Sequence, residues 1–190
     1  MLGFSLFVFF CIWLNFENGI TFLNINPDYL EGRWVFFLLG IVTIIELGTG
    51  VNGQIIGTSN FWKFELWTSL LLTLMIIPLS YSLTVKYGIL GPAIANLVSF
   101  SVYNFVRFYF LLKKFKMQPF SIKTVELLVI AIGTYFLVYY TTMNLKGLTA
   151  ILSSLVLFSS IFISLFYWRN ISPDVKPVIE TFLKRVGKKS

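Results

Sequence analysis

The sequence contains no histidine and a single cysteine, Cys11. The first absence removes imidazole bases, Ser-His-Asp triads and histidine metal ligands. The second leaves no internal disulfide and no cysteine-rich metal site. Cys11 stands in an apolar run and reads as a small packed side chain. Charge is also scarce: 12% of the 190 residues are charged, against about 25% in a soluble domain. So little charge cannot cover a soluble surface. What the chain has instead is 57% hydrophobic and 18% aromatic residues, with a mean hydropathy of +0.82. The expected class is therefore all-α, a polytopic transmembrane helical bundle. Fifteen Lys and Arg against eight Asp and Glu give a net charge of +7. In a membrane chain this excess is read as topology, so no nucleic-acid partner is expected.

Apolar runs divide residues 1–168 into six spans, at about 2–14, 34–51, 66–85, 89–112, 125–143 and 148–168. About 20 helical residues cross the 30 Å hydrocarbon core. The first run is short, with no basic residue ahead of it and no small-residue cleavage site, unlike a signal peptide. It is expected to be a helix whose beginning is missing, and the chain to be the C-terminal piece of something longer. By parity, Lys63, Lys113, Lys114, Lys116, Lys123, Arg169, Lys176, Lys184, Arg185, Lys188 and Lys189 share one side. Arg33, Lys86 and Lys146 lie on the other, so the C-terminus is expected in the cytoplasm. Trp13, Trp34, Trp62, Trp67 and Trp168 fall near the span ends, where amphipathic rings sit. The tail, 169–190, is basic. Val175, Val178, Ile179, Phe182, Leu183 and Val186 recur at helical spacing after a capping Asp174, which predicts an amphipathic helix on the inner leaflet.

Gly48-Thr49-Gly50-Val51-Asn52-Gly53 matches G-x-G-x-x-G. A dinucleotide fingerprint needs a preceding strand and an acid about 20 residues on. Here a membrane helix precedes it, and Ser69 to Thr73 holds no acid. The glycines are read instead as loosening the end of span two and letting another helix approach. Gly48, Gly50, Gly53 and Pro78 are hinge candidates; ordinary glycine turns and a static proline kink are the plainer alternatives.

Glu46 lies about 18 Å along span two, near mid-membrane, where an unpaired carboxylate costs at least about 2.5 kcal/mol. Thr43, Thr49, Gly50 and Gly53 share its face on a continuous helix, so that face is expected to look inward. Glu46 then binds a coupling cation or proton, or pairs with a base across the cavity, or is a structural carboxylate satisfied by Thr or Ser hydroxyls. In span four Pro92, Asn96, Ser99, Tyr103 and Arg107 recur at three or four residues, with Asn104 beside them. Gly91, Ala95 and Ser99 form a small-residue row suited to close packing. Arg107 is placed either to hold an anionic head group or to snorkel to bulk lipid phosphate. The cavity candidates are thus Glu46, Thr49, Asn52, Asn96, Ser99, Tyr103, Asn104 and Arg107. Ser153, Ser154, Ser159, Ser160 and Ser164 in span six are expected to bond their own helix backbone. No catalytic set, metal site or cofactor is expected.

Several segments carry a family resemblance. They are Asn26-Pro27-Asp28-Tyr29-Leu30-Glu31-Gly32, Gly50-Val51-Asn52-Gly53-Gln54-Ile55-Ile56, and Tyr87-Gly88-Ile89-Leu90-Gly91-Pro92-Ala93-Ile94-Ala95. Tyr103-Asn104-Phe105-Val106-Arg107 and Lys114-Phe115-Lys116-Met117-Gln118-Pro119-Phe120 complete the series. Together, from about Phe22 to Phe120, they resemble the C-terminal region of bacterial polysaccharide-biosynthesis membrane proteins. These are oligosaccharide (O-antigen type) flippases of the multidrug/oligosaccharidyl-lipid/polysaccharide exporter superfamily. The resemblance implies a bacterial inner-membrane transporter of 12–14 helices in two lobes, of which this chain is mostly the second. It implies a polyprenyl-pyrophosphate-linked oligosaccharide as substrate, moved by alternating access with a coupling cation or proton. The N-terminal half of the same protein and the membrane lipids are the implied partners. Two rivals are a membrane-embedded transferase and a non-transporting assembly subunit of a polysaccharide pathway. The transferase would need an acid cluster or a histidine at a membrane face, and outside only Glu17, Asp28 and Glu31 are available.

Overall fold

A computed structural model describes residues 1–50, 52–118, 120–169 and 171. Among the described residues the regular structure is all helical, with seven α-helices in order: α1 (Leu2–Phe22), α2 (Arg33–Gly48), α3 (Asn52–Thr58), α4 (Trp62–Tyr87), α5 (Gly91–Phe115), α6 (Ile122–Thr142) and α7 (Gly147–Trp168). Short 3-10 turns at Pro27–Gly32 and Gly88–Leu90 precede α2 and α5. The expected tail helix lies outside the described residues.

Among the described residues four helical runs are long and apolar enough to cross a membrane, and five if the bent α2–α3 pair counts as one. One of these runs, Trp62–Phe115, is 54 residues long. Straight, it would measure about 81 Å. It folds back at Gly88, whose φ of +58° suits the turn. Its arms are antiparallel: Phe61 meets Phe115, Phe64 stacks on Phe110 at 3.9 Å, and Glu65 bonds Arg107. The arms, α4 and α5, are 26 and 25 residues long.

The first helix corrects the expected boundary at Leu14. It runs 21 residues, about 31 Å, and is of full spanning length. In its polar second half several side chains find partners. The Asn15 amide donates to the Cys11 carbonyl at 2.9 Å, and the Ser154 hydroxyl of α7 donates to Asn15 Oδ1 at 2.6 Å. Glu17 forms an ion pair with Arg33 of α2. Span two departs from its drawn extent too. It breaks after Gly48, and α3 leaves at 48° to the preceding segment.

Within lipid there is no hydrophobic drive between helices, so association rests on van der Waals fit and polar pairs. Two packed groups result. One is α1, α6 and α7, around Leu6, Leu127, Ala131, Val138, Phe158 and Phe162. Its rings interdigitate: Phe10 lies 5.2 Å from Tyr135, and Phe7 lies 5.7 Å from Phe162. The other is α2 to α5. Phe9 of α1 joins the two by stacking on Phe36, and the bare backbone of Gly40 makes room for its ring. Of the five serines of α7 expected to bond their own helix, Ser153 and Ser160 donate to its carbonyls, while the single Ser154 proton is shared between the Ile151 carbonyl and Asn15.

The hairpin fold makes a prediction. A Cβ at Gly91 would run into the α4 backbone at Leu83 and Thr84, which cannot yield as a side chain does. Gly133 in α6 has open space. In detergent, Gly91→Ala should lower stability by about 1–3 kcal/mol, seen as an earlier thermal midpoint. Gly133→Ala should match or exceed the parent, since alanine gains up to about 1 kcal/mol of helix propensity. Equal midpoints for the two variants would contradict the tight α4–α5 turn.

Candidate functional site

The break in span two and the polar stripe of α5 meet at one place. α2 ends with the Thr49 amide bonded to the Ile45 carbonyl. Gly50 then adopts a φ of +72°, a left-handed conformation that glycine enters without strain. The chain turns, and α3 starts with Asn52 buried. Thr49 is buried as well. Its hydroxyl lies 3.0 Å from both the Glu46 carbonyl and the Asn104 side-chain oxygen, and its one proton is shared between them. The Asn104 amide donates to the Phe100 carbonyl at 2.9 Å.

One turn along α5, the Arg107 guanidinium occupies the space that a side chain on Gly53 would fill. Any residue larger than glycine there would displace it. Nη2 donates to Glu65 Oε1 at 2.5 Å, and Cζ lies 4.4 Å from the centre of the Tyr103 ring. The Tyr103 hydroxyl donates to the same carboxylate oxygen at 3.4 Å. The side chains of Arg107 and Glu65 are 11% and 21% exposed, so the pair is largely withdrawn from its surroundings. Glu65 sits in the first turn of α4, where the positive end of the helix dipole also favours a carboxylate.

The pair does not use all of its bonding capacity. Among the described residues, Arg107 Nε, Glu65 Oε2 and Asn52 Nδ2 are buried without a partner, as is Ser99 Oγ two turns away on α5. Buried polar atoms normally have partners. The two free donors suit an anionic oxygen, and the guanidinium edge matches phosphate geometry in particular.

Most of the stripe read from the sequence is therefore brought together: Thr49, Asn52, Tyr103, Asn104 and Arg107, with Ser99 buried nearby. Asn96 is only half-buried, and its amide donates to the Pro92 carbonyl at 3.0 Å. Glu46 is a correction. It is exposed on α2 together with Leu39 and Thr43, and its carboxylate has no partner among the described residues. The expected shared face assumed one continuous helix. The helix stops at Gly48, and the turn at Gly50 swings Asn52 and Gly53 toward α5, while Thr43 and Glu46 stay on the outer side. Of the hinge candidates, Gly48 meets Leu2 of α1, Gly50 makes the turn and Gly53 admits Arg107. Pro78 lies exposed inside α4, which continues through it.

Glu65 was missed because it falls one residue ahead of the apolar run starting at Leu66, among loop residues. The available signal was the unpaired charge of Arg107. Folding the sequence back at Gly88 lays Arg107 beside the first turns of α4, whose only carboxylate is Glu65. No family model, characterised protein or solved structure matches the chain.

The ion pair can be tested by a double-mutant cycle. Glu65→Leu alone should cost about 3–5 kcal/mol, because it strands a buried guanidinium, whereas Glu65→Leu with Arg107→Met should recover most of that loss. Denaturant unfolding in mixed micelles reads the difference. Additive effects of the two substitutions would show that the side chains are not coupled.

Proposed function

We propose that this chain is a lobe of a transporter that moves polyprenyl-pyrophosphate-linked oligosaccharide across the bacterial inner membrane. The support in sequence is the series of motifs from Phe22 to Phe120 that resembles the O-antigen type flippases. The observation that carries the reading is Arg107, buried beside a broken helix with free donors around it. A lipid pyrophosphate needs a cationic, donor-rich site that forms and dissolves in the course of a transport cycle. In this reading the pyrophosphate competes with Glu65 for the guanidinium, while Thr49, Asn52 and Asn104 form the polar wall beside it. The glycine break at the end of α2 and Pro78 supply the flexibility for alternating access.

Glu46 takes a different place in the cycle. A carboxylate exposed from this bundle at membrane depth is tolerated when water or protein covers it. The N-terminal half of the same protein is the proposed cover, and Glu46 binds the coupling cation or proton at that boundary. The excess of Lys and Arg at the end holding Lys63, Lys113, Lys114, Lys116, Lys123 and Arg169 supports a cytoplasmic side for that end and for the C-terminus in this reading.

The test is glycan export from cells whose only copy of the full-length protein carries a substitution. Arg107→Ala should lower export about tenfold or more, the worth of a lost charge-assisted bond, with lipid-linked glycan accumulating on the inner leaflet. Glu46→Gln should remove the dependence of export on the ion gradient. Unchanged export in both variants, at normal protein levels, would end these assignments.

A further inference from the structure

At the lysine-rich end of the bundle, a cleft of about 550 Å³ opens between α1, the start of α6 and the end of α7. Leu2, Phe4, Leu127 and Phe166 give it apolar walls, and Ser121, Lys123 and Thr124 line its α6 side. A second cavity of about 180 Å³ adjoins it, lined by Gly3, Phe4, Phe7, Phe162, Ile163 and Phe166. The two share Gly3, Phe4 and Phe166, so they form one groove along α1 and α7.

The described residues end inside this groove. Ile171 lines the larger cavity and packs against the core of α1, α6 and α7. Its amide donates to the Phe166 carbonyl at 3.5 Å, so the chain turns back on α7 and does not run on along the helix axis. Residues 172–190 follow, and they carry the apolar stripe Val175, Val178, Ile179, Phe182, Leu183 and Val186. Val175 is four residues past Ile171, so it stays within about 14 Å of it however the chain runs. Size and charge agree with this occupant. A cavity of about 150 Å³ holds a benzene ring, so the larger cleft accepts several apolar side chains from one helix face. Asp174 lies three residues past Ile171, within reach of Lys123 on the cleft wall. Lys184 and Lys188 fall on the opposite side of the helical wheel, where they are left to meet lipid phosphates.

We infer that this groove seats the chain's own C-terminal segment, residues 172–190, by the apolar face that Val178, Phe182 and Val186 share. The seated segment ties α1 to α7 and covers the aromatic groove from lipid. Without a hydrophobic drive in the membrane, fit decides such an association, and the anchoring at Ile171 holds the segment at high local concentration. The site stands apart from the Arg107 cluster and does not depend on the transport reading.

Disulfide trapping tests this in the whole chain, with Cys11→Ser removing the native thiol and single copies held in phosphatidylcholine nanodiscs. Phe4→Cys in the groove is paired either with Phe182→Cys or with Lys184→Cys, two positions about 200° apart around a helix. A disulfide needs Cα atoms within about 7 Å, so oxidation should link Phe4→Cys to Phe182→Cys about tenfold faster or more than to Lys184→Cys. Ile163→Cys, in the smaller cavity, repeats the comparison from the α7 side. A preference for Phe182→Cys from either groove position, kept in phosphatidylglycerol nanodiscs, supports the seat. Equal rates for the two tail positions, or no link from either groove position, would show the segment lying on the leaflet or a lipid chain filling the groove, and overturns it. So does a preference that appears only in phosphatidylglycerol. Phe4 and Ile163 are both exposed, which keeps these variants foldable, and an unchanged thermal midpoint confirms it.

Discussion

A guanidinium buried in a membrane helix has to be neutralised where it stands, and the half of the bundle built from α2 to α5 is arranged around that need. Arg107 draws Glu65 of α4 onto α5, which fixes how the hairpin arms face each other at the end away from their turn. At the turn, the bare backbone of Gly91 fixes the other end. The pair also needs room, and Gly53 provides it by having no side chain. Had α2 continued as one straight helix, Gly53 would not reach this position. The break at Gly50 and the charge of Arg107 are two parts of one local solution.

The two halves of the bundle are held by different forces. α1, α6 and α7 are joined by rings and small residues, with Ala131, Val138 and Phe158 fully buried. The Asn15–Ser154 hydrogen bond adds a polar contact to that seam, and the Arg169–Glu126 ion pair another at its end. Such contacts are many and individually weak, and no single one sets the geometry. In α2 to α5 the contacts that set the geometry are polar and directional. A directional contact has discrete alternatives, since an ion pair is either made or replaced, whereas ring packing gives way by small steps. That contrast locates any capacity for switching in the α2–α5 half.

Hydropathy made the helices legible, because a run of 20 apolar residues has few other uses. The glycines after Leu47 announced the end of α2, and the three-to-four spacing of Ser99, Tyr103 and Arg107 announced a buried polar face. Polar residues with distant partners escaped the same reading. Asn15 and Glu17 look like the end of a helix until Ser154 and Arg33, 139 and 16 residues away, are known to meet them. Glu65 looks like a loop residue until the hairpin closes. Glu46 was misjudged for the opposite reason, since helical periodicity was carried past the residue where the helix stops. Period-based reasoning fails at breaks, and breaks are where this chain places its polar chemistry.

The length of α2 explains why the break lies there. Sixteen residues rise about 24 Å, short of the 30 Å hydrocarbon core. Stopping at Gly48 leaves the last carbonyls of α2 without partners from their own helix while they are still inside the membrane. The chain meets this with side chains, as Thr49 returns its hydroxyl to the Glu46 carbonyl and also reaches Asn104. α3 then carries the backbone on toward the lysine-rich end. A broken helix is tolerated at this depth only where protein surrounds it, and α4 and α5 provide that surround. The same enclosure withdraws Arg107 from lipid. Straightening α2 would therefore remove the space for the guanidinium, and removing the guanidinium would leave the broken end facing a void.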